Sequence, residues 1–242
     1  MLFFATFQRP QASVHNDGMR CEPSDFFIAW ADPQVAASYC ESDLSADDVP
    51  RATLPRSAKA QRDWQVSRGL LHSVRTAADD PVCSLSHKHG HAVCAAAPAR
   101  WRIGVDLERI KPRDVMRLAD WVCTPQERRM LADLDARRRL VHFYTLWTLK
   151  EAFIKAADLA FPADMARVGL FVGEAGGVVL QAPPGLWQAC AWRLDPDWIV
   201  AAVWQASAAI GRSPNWRAFT GCALPHRRVL GQWNNLLMPP EQ

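Results

Sequence analysis

Apolar and polar positions along this chain change period several times, and each change marks an element. Phe26-Phe-Ile-Ala-Trp30 is a short apolar run downstream of the turn signal Asn16-Asp17-Gly18 and reads as a buried strand. Between Ser57 and Val74, basic and apolar residues recur at helical spacing, anchored by Trp64, Leu70 and Leu71. A loop over 77–81 follows. Val82 to Ser86 and Ala92 to Ala97 then read as short strands, and Ile103 to Leu107 as a third.

The second half follows a similar order. Thr124-Pro125-x-Glu127 combines a cap residue, proline at the first helical position and an early acid, the pattern of a helix start. One helix is predicted to about Leu134 and a longer one from Arg138 to Ala157. Val168 to Val172, Gly177 to Gln181, Trp187 to Arg193 and Trp198 to Trp204 alternate with turn residues and predict an antiparallel meander. Helices and antiparallel strands in two similar halves predict an α+β fold. The tail over 211–242 shows no period that assigns an element.

Composition narrows the class. The chain has 242 residues, enough for one large domain or two small ones. Its hydrophobic fraction of 49% and charged fraction of 22% are those of a soluble globular protein, and no apolar run approaches a bilayer span. Seven cysteines with no C-x-x-C pair argue against a disulfide framework or a cysteine zinc site and point to reduced thiols in the cytoplasm. The apolar start, Met1 to Phe7, lacks a basic lead and a cleavage pattern. A net charge of +3 names no polyanionic partner, so nucleic acid is not expected. The segment 109–139 is nevertheless basic, with Arg113 and Arg117 among nine Lys and Arg against five acids.

Two motifs carry chemistry. In Ile103-Gly-Val-Asp-Leu-Glu108, side chains two apart on a strand share a face, so Asp106 and Glu108 project together while Val105 and Leu107 enter the core. Such a carboxylate pair suits a hard cation such as Mg²⁺; alone, it is also the pattern of an edge strand with two solvated acids. In Trp147-Thr-Leu-Lys-Glu-Ala-Phe-Ile-Lys155, a helix places Trp147, Glu151 and Lys155 in one row. Alone, that row is equally an exposed i,i+4 ion pair. His87, His89 and His91 alternate, which on one strand face would present three imidazoles to zinc, although Gly90 signals a turn and no fourth ligand is evident.

Together the two motifs resemble the signature of the 4′-phosphopantetheinyl transferase superfamily, in its longer, two-halved type that activates peptide and polyketide synthases. The resemblance runs from about Arg56 to Val172 and is most specific over Ile103 to Lys155. It implies two similar α+β halves, 1–102 and 103–242, with the active site in the cleft between them. It implies transfer of the 4′-phosphopantetheine arm of coenzyme A to a serine of an apo acyl or peptidyl carrier protein, leaving 3′,5′-ADP, by a monomeric enzyme. Mg²⁺ would be held by Asp106, Glu108 and Glu151, with Glu151 and Lys155 catalytic. Coenzyme A would meet Arg56, Ser86, His87, Lys150 and Lys155, with Arg56 on its 3′-phosphate. The family's G-K-P element is missing; Arg75 to Pro81 stands in its place, which leaves the adenine contacts unassigned. The same constellation would also serve a metal-dependent phosphohydrolase, in which water replaces the carrier serine, or a carrier-binding module that kept only the fold.

The basic segment 109–139 is the expected carrier-docking surface. Ile110, Val115, Met116, Trp121 and Val122 are the candidates for its buried centre.

Overall fold

The structure is a computed structural model that describes residues 26–77, 81–173, 176–205 and 213–235. The first strand, β1 (Phe27–Ala31), is followed by a short helix α1 (Val49–Ala52), the long helix α2 (Ala58–Ala77) and the hairpin β2 (Val82–Lys88) and β3 (His91–Ala97). Then come β4 (Arg102–Arg109), α3 (Val115–Val122), α4 (Pro125–Ala132) and the long helix α5 (Ala136–Ala157). Six strands complete the order: β5 (Gly169–Val172), β6 (Val178–Gln181), β7 (Trp187–Leu194), β8 (Trp198–Gln205), β9 (Asn215–Ala218) and β10 (Arg227–Asn234).

Two four-stranded sheets form, in the orders β2-β3-β1-β9 and β10-β7-β8-β4, with β5 and β6 as a separate ribbon. β1 pairs antiparallel with β3, and β3 with β2; β4 pairs antiparallel with β8, and β8 with β7. Each unit is thus a strand, a long helix and a hairpin joined in the same order, and the fold is α+β. The chain stacks in layers. Helix α2 covers one face of the first sheet through Val66, Leu70 and Val74, and α5 covers one face of the second through Leu149 and Phe153. Ile28, Trp30, Val105, Leu107, Trp198 and Trp204 fill the space between the sheets. Strands covered on both faces need apolar side chains throughout, which is why β1 and β8 are nearly continuous apolar runs.

Several expectations change. The meander is broken: Pro183-Pro184-Gly185 separates β6 from β7, and among the described residues β5 and β6 pair only with each other. The tail holds elements after all, since β9 pairs parallel with β1 and β10 pairs antiparallel with β7. It therefore adds one strand to each sheet. Helix α3 lies in the segment read only as a basic surface, started by Asp114, whose carboxylate accepts from Arg117 N at 3.2 Å. The start of α4 matches its sequence pattern, with the full reciprocal capping box of Thr124 and Glu127. The Asn16-Asp17-Gly18 turn, Cys21 and most of the 77–81 loop lie outside the described residues. Among the described residues no helix is long and apolar enough to cross a membrane, and the six cysteines there are unbridged.

One glycine governs how closely a helix can approach a sheet. A Cβ on Gly104 of β4 would lie 1.9 Å from the Ala152 carbonyl oxygen and 2.8 Å from Ala156 N, both backbone atoms of α5. Only glycine lets the α5 backbone sit on β4. Gly104→Ala is expected to force α5 away from the strand. Overpacking of this kind costs about 1–3 kcal/mol, and a thermal melt should fall by several degrees. An unchanged melting temperature would show that the helix has slack at this contact.

Candidate active site

The two sheets meet along unpaired edges. β2 ends the first sheet and β4 ends the second, and no backbone ladder joins them. Serine side chains bridge the gap instead. Ser84 Oγ accepts from Val105 N at 3.0 Å and Ser86 Oγ from Leu107 N at 3.2 Å. From α5, Lys155 Nζ donates to the Val105 carbonyl at 2.9 Å and reaches the Leu85 carbonyl at 3.5 Å. Buried amides that would otherwise lack partners are satisfied in this way.

The acidic residues gather at this seam. Asp106 is buried, and its Oδ1 accepts both the Ser86 hydroxyl and Lys155 Nζ, each at 2.8 Å. Its Oδ2 is buried with no hydrogen-bond partner. Glu108, two residues on, pairs with Lys88 Nζ at 2.5 Å. Glu151 projects from α5, 8% exposed, and accepts no hydrogen bond among the described residues. Burial and then the neighbouring Asp106 charge push its pKa up from 4.5 to about 7, against the opposing pull of Lys155. Burial and Asp106 also raise Glu108, with Lys88 opposing.

The seam therefore holds more negative charge than its two ammonium groups balance. Among the described residues no three His, Cys, Asp or Glu side chains are already drawn close enough to hold a metal ion. The donor set nonetheless fits a hard divalent cation. It consists of carboxylate oxygens, one of which is buried without a partner, and two of the carboxyl groups are held above their usual pKa by burial and then by the Asp106 charge.

The remaining expected residues divide. Ser86 lies at the seam, where its hydroxyl orients Asp106. His87 falls on the opposite face of β2, towards α2. There crowding by protein atoms, then the Arg68 charge, lowers its pKa, although part of the ring still meets solvent. Arg56 contacts none of the carboxylates. Its guanidinium donates to the carbonyls of Arg51, Ala52 and Leu54 and stacks 4.1 Å over Trp64.

Lys150 is not brought to the seam. It is fully buried, paired with Glu127 at 2.9 Å, and donates to the Met165 and Val168 carbonyls at 2.8 and 2.6 Å. All three of its protons are used there, so the expected contact with coenzyme A is withdrawn. The zinc reading also falls. His89 and Gly90 form a left-handed turn with φ of 51° and 76°, which separates His87 on β2 from His91 on β3.

Three participants escaped the sequence reading: Ser84, Lys88 and Gly104. Ser84 and Lys88 flank Ser86 at the period of a strand, so the alternation of β2 was the available signal.

The carboxyl group of Glu151 makes a prediction about pH. An acid whose folded pKa is raised binds its proton more tightly in the folded chain. Its ionisation therefore lowers stability as pH rises from 4.5 to about 7. In metal-free buffer, Glu151→Gln should be more stable than the parent at pH 8, by up to a few kcal/mol. The difference should shrink as pH falls towards 5. Denaturant melts across that range check this, and a pH-independent difference would overturn it.

Several known proteins have similar sequences. A family profile described as the 4′-phosphopantetheinyl transferase superfamily covers residues 102–203, from β4 into β8. The 4′-phosphopantetheinyl transferase HetI of Nostoc sp. is 29% identical over 215 residues, spanning 76% of this chain and 86% of its own. The 4′-phosphopantetheinyl transferase psf-1 of Bacillus pumilus is 30% identical over 130 residues, 52% of this chain and 54% of its own. A holo-(acyl-carrier-protein) synthase of Bacillus anthracis overlays 44% of this chain and 96% of its own at 18% identity. The TM-score of that overlay is 0.37. The chain is thus similar to the 4′-phosphopantetheinyl transferase superfamily from β4 into β8, and to curated 4′-phosphopantetheinyl transferases over a longer stretch.

Proposed function

We propose that this protein transfers the 4′-phosphopantetheine arm of coenzyme A to a serine hydroxyl of an apo acyl or peptidyl carrier protein. The observation that carries the reading is the under-neutralised carboxylate group at the seam, with Lys155 fixed among the carboxylates. Asp106, Glu108 and Glu151 would hold Mg²⁺, which when bound neutralises the pyrophosphate oxygens of coenzyme A. The chain's own residues do the rest. The serine Oγ forms a bond to the β-phosphorus, the bond to the 3′,5′-ADP oxygen breaks, and the serine proton passes to the Glu151 carboxylate, directly or through a water. In the metal-free chain that carboxyl group is poised near 7, and Mg²⁺ bound to it would lower its pKa and make it a weaker base. Lys155, anchored by Asp106 and the Val105 carbonyl, steadies charge on the phosphate oxygens without reorganising.

His87 would face the coenzyme A phosphates from the α2 side of β2. Its lowered pKa keeps it a neutral hydrogen-bond donor there. The matching strand orders support two halves, 1–102 and 103–242, related by a pseudo-twofold axis, with tail strands exchanged onto both sheets.

The carrier would dock on the segment after β4. Trp121 is 77% exposed on α3, beside a hollow of about 640 Å³ lined by Lys111, Arg113, Arg117 and Leu118. Val115 and Val122, expected at the centre of that surface, are instead packed into the core beneath it. An acidic partner would gain both orientation and encounter rate from these charges.

Incubation of the pure protein with coenzyme A, Mg²⁺ and an apo carrier should add one phosphopantetheine to the carrier, read by mass spectrometry. Glu151→Ala should lower the rate by at least about a hundredfold. A near-parental rate in that variant would remove Glu151 from the chemistry, and release of the arm to water rather than to the carrier would make the protein a hydrolase. The double variant Arg113→Glu, Arg117→Glu should raise KM for the carrier roughly tenfold while leaving KM for coenzyme A unchanged. An unchanged carrier KM places the docking surface elsewhere.

A further inference from the structure

A cavity of about 700 Å³ lies at the edge of the second sheet opposite to β4, away from the seam. Its size is that of a small-molecule site. The first turns of α5 form its floor, and the β5–β6 ribbon and strands β7 and β10 form its walls. The chemistry proposed above takes place at the carboxylate seam and makes no use of it.

The wall on the β10 side is shaped by a local irregularity. The register of β10 against β7 shifts between Val229 and Gly231, a bulge that turns the strand. A Cβ on Gly231 would lie 2.0 Å from the Trp233 ring, so the missing side chain is what lets the indole lie across the strand. Leu170 of β5, Val178 of β6 and Leu230 of β10 continue the apolar lining.

The polar lining carries one sign of charge. Arg137, Arg138, Arg193 and Arg228 border the cavity, and Asp135 is the one acid among its lining residues. Asp135 is already committed to the start of α5. It accepts from Arg137 N and Arg138 N at 3.0 Å each and pairs with Arg138 Nε at 3.3 Å. Two of the lining residues have unmet demands: Arg193 Nε and, beside the arginines, His142 Nε2 are buried with no hydrogen-bond partner. Buried nitrogens of this kind are rarely left alone, and an apolar hollow ringed by guanidinium groups lacks its counter-charge.

We propose that this cavity is a second binding site, which takes a small amphipathic anion. A carboxylate or phosphate head would meet Arg193, Arg228 and Arg138, while an apolar body lies against Leu170, Leu230 and Trp233. The site is separate from the carboxylate seam, and its occupancy does not depend on the transferase reading.

Isothermal titration of the full chain with decanoate, decyl phosphate and decanol, each below its aggregation limit, tests the proposal. One or both anions should bind saturably at one site per chain, and the neutral alcohol at least about tenfold more weakly. Whichever anion binds tighter identifies the head group. Arg138→Glu and Arg228→Glu alter exposed side chains, so the fold should survive, and each should weaken the anion by about tenfold. Saturating coenzyme A should not displace it. The proposal fails if neither anion saturates, if decanol binds as well, if both charge reversals leave affinity unchanged, or if coenzyme A competes.

Discussion

Two sheet edges that face each other without pairing set the constraint on which the rest of this structure depends. An exposed edge strand carries a row of unsatisfied amides and carbonyls, and β2 and β4 both end their sheets. Direct pairing would join them into one sheet with no room for a site. Ser84 and Ser86 accept the Val105 and Leu107 amides at a side chain's length, and Lys155 supplies the Val105 carbonyl from α5. The seam is therefore closed enough to satisfy the backbone and open enough to hold carboxylates. Gly104 is the geometric condition for this. Without its bare Cα, α5 could not lie close enough for Lys155 to reach a strand carbonyl.

Neighbouring residues on α5 show how burial can serve opposite ends. Lys150 is buried in a fully satisfied pair with Glu127, whose other bonds go to Thr124 N and Leu170 N. Gly169, with φ of 142°, leaves the space that Glu127 Oε1 occupies. Breaking such a pair leaves an uncompensated charge in the core, typically a loss of about 3–5 kcal/mol. One residue later, Glu151 is buried beside Asp106 with its demand unmet. The first arrangement pins the helix, and the pinned helix holds the second in a geometry it would not choose. Electrostatic strain of this kind is affordable only on a rigid scaffold.

Much of the site was legible because its residues obey local periods. Asp106 and Glu108 share a face by the twofold alternation of a strand, and Glu151 and Lys155 share one by the turn of a helix. The Thr124 capping box could be read for the same reason, since both of its bonds lie within four residues. The long helices and central strands showed themselves through sustained apolar patterns. β9 and β10 did not: they are edge strands covered on few sides, and their sequence carries no strong alternation.

The sequence by itself determined the long helices and central strands, their order and the chemical types brought to the site, because backbone period and residue chemistry are local properties. It could not say which face of an element meets which partner. Lys150 and Glu151 are adjacent in a motif that reads as one functional unit, yet the fold sends the first to Glu127 and leaves the second beside Asp106. Ser86 and His87 divide in the same way, one towards β4 and one towards α2. Only tertiary packing decided these assignments. Contacts between residues 20 to 50 apart depend on how helices and sheets fit together, and a single glycine at position 104 controls that fit.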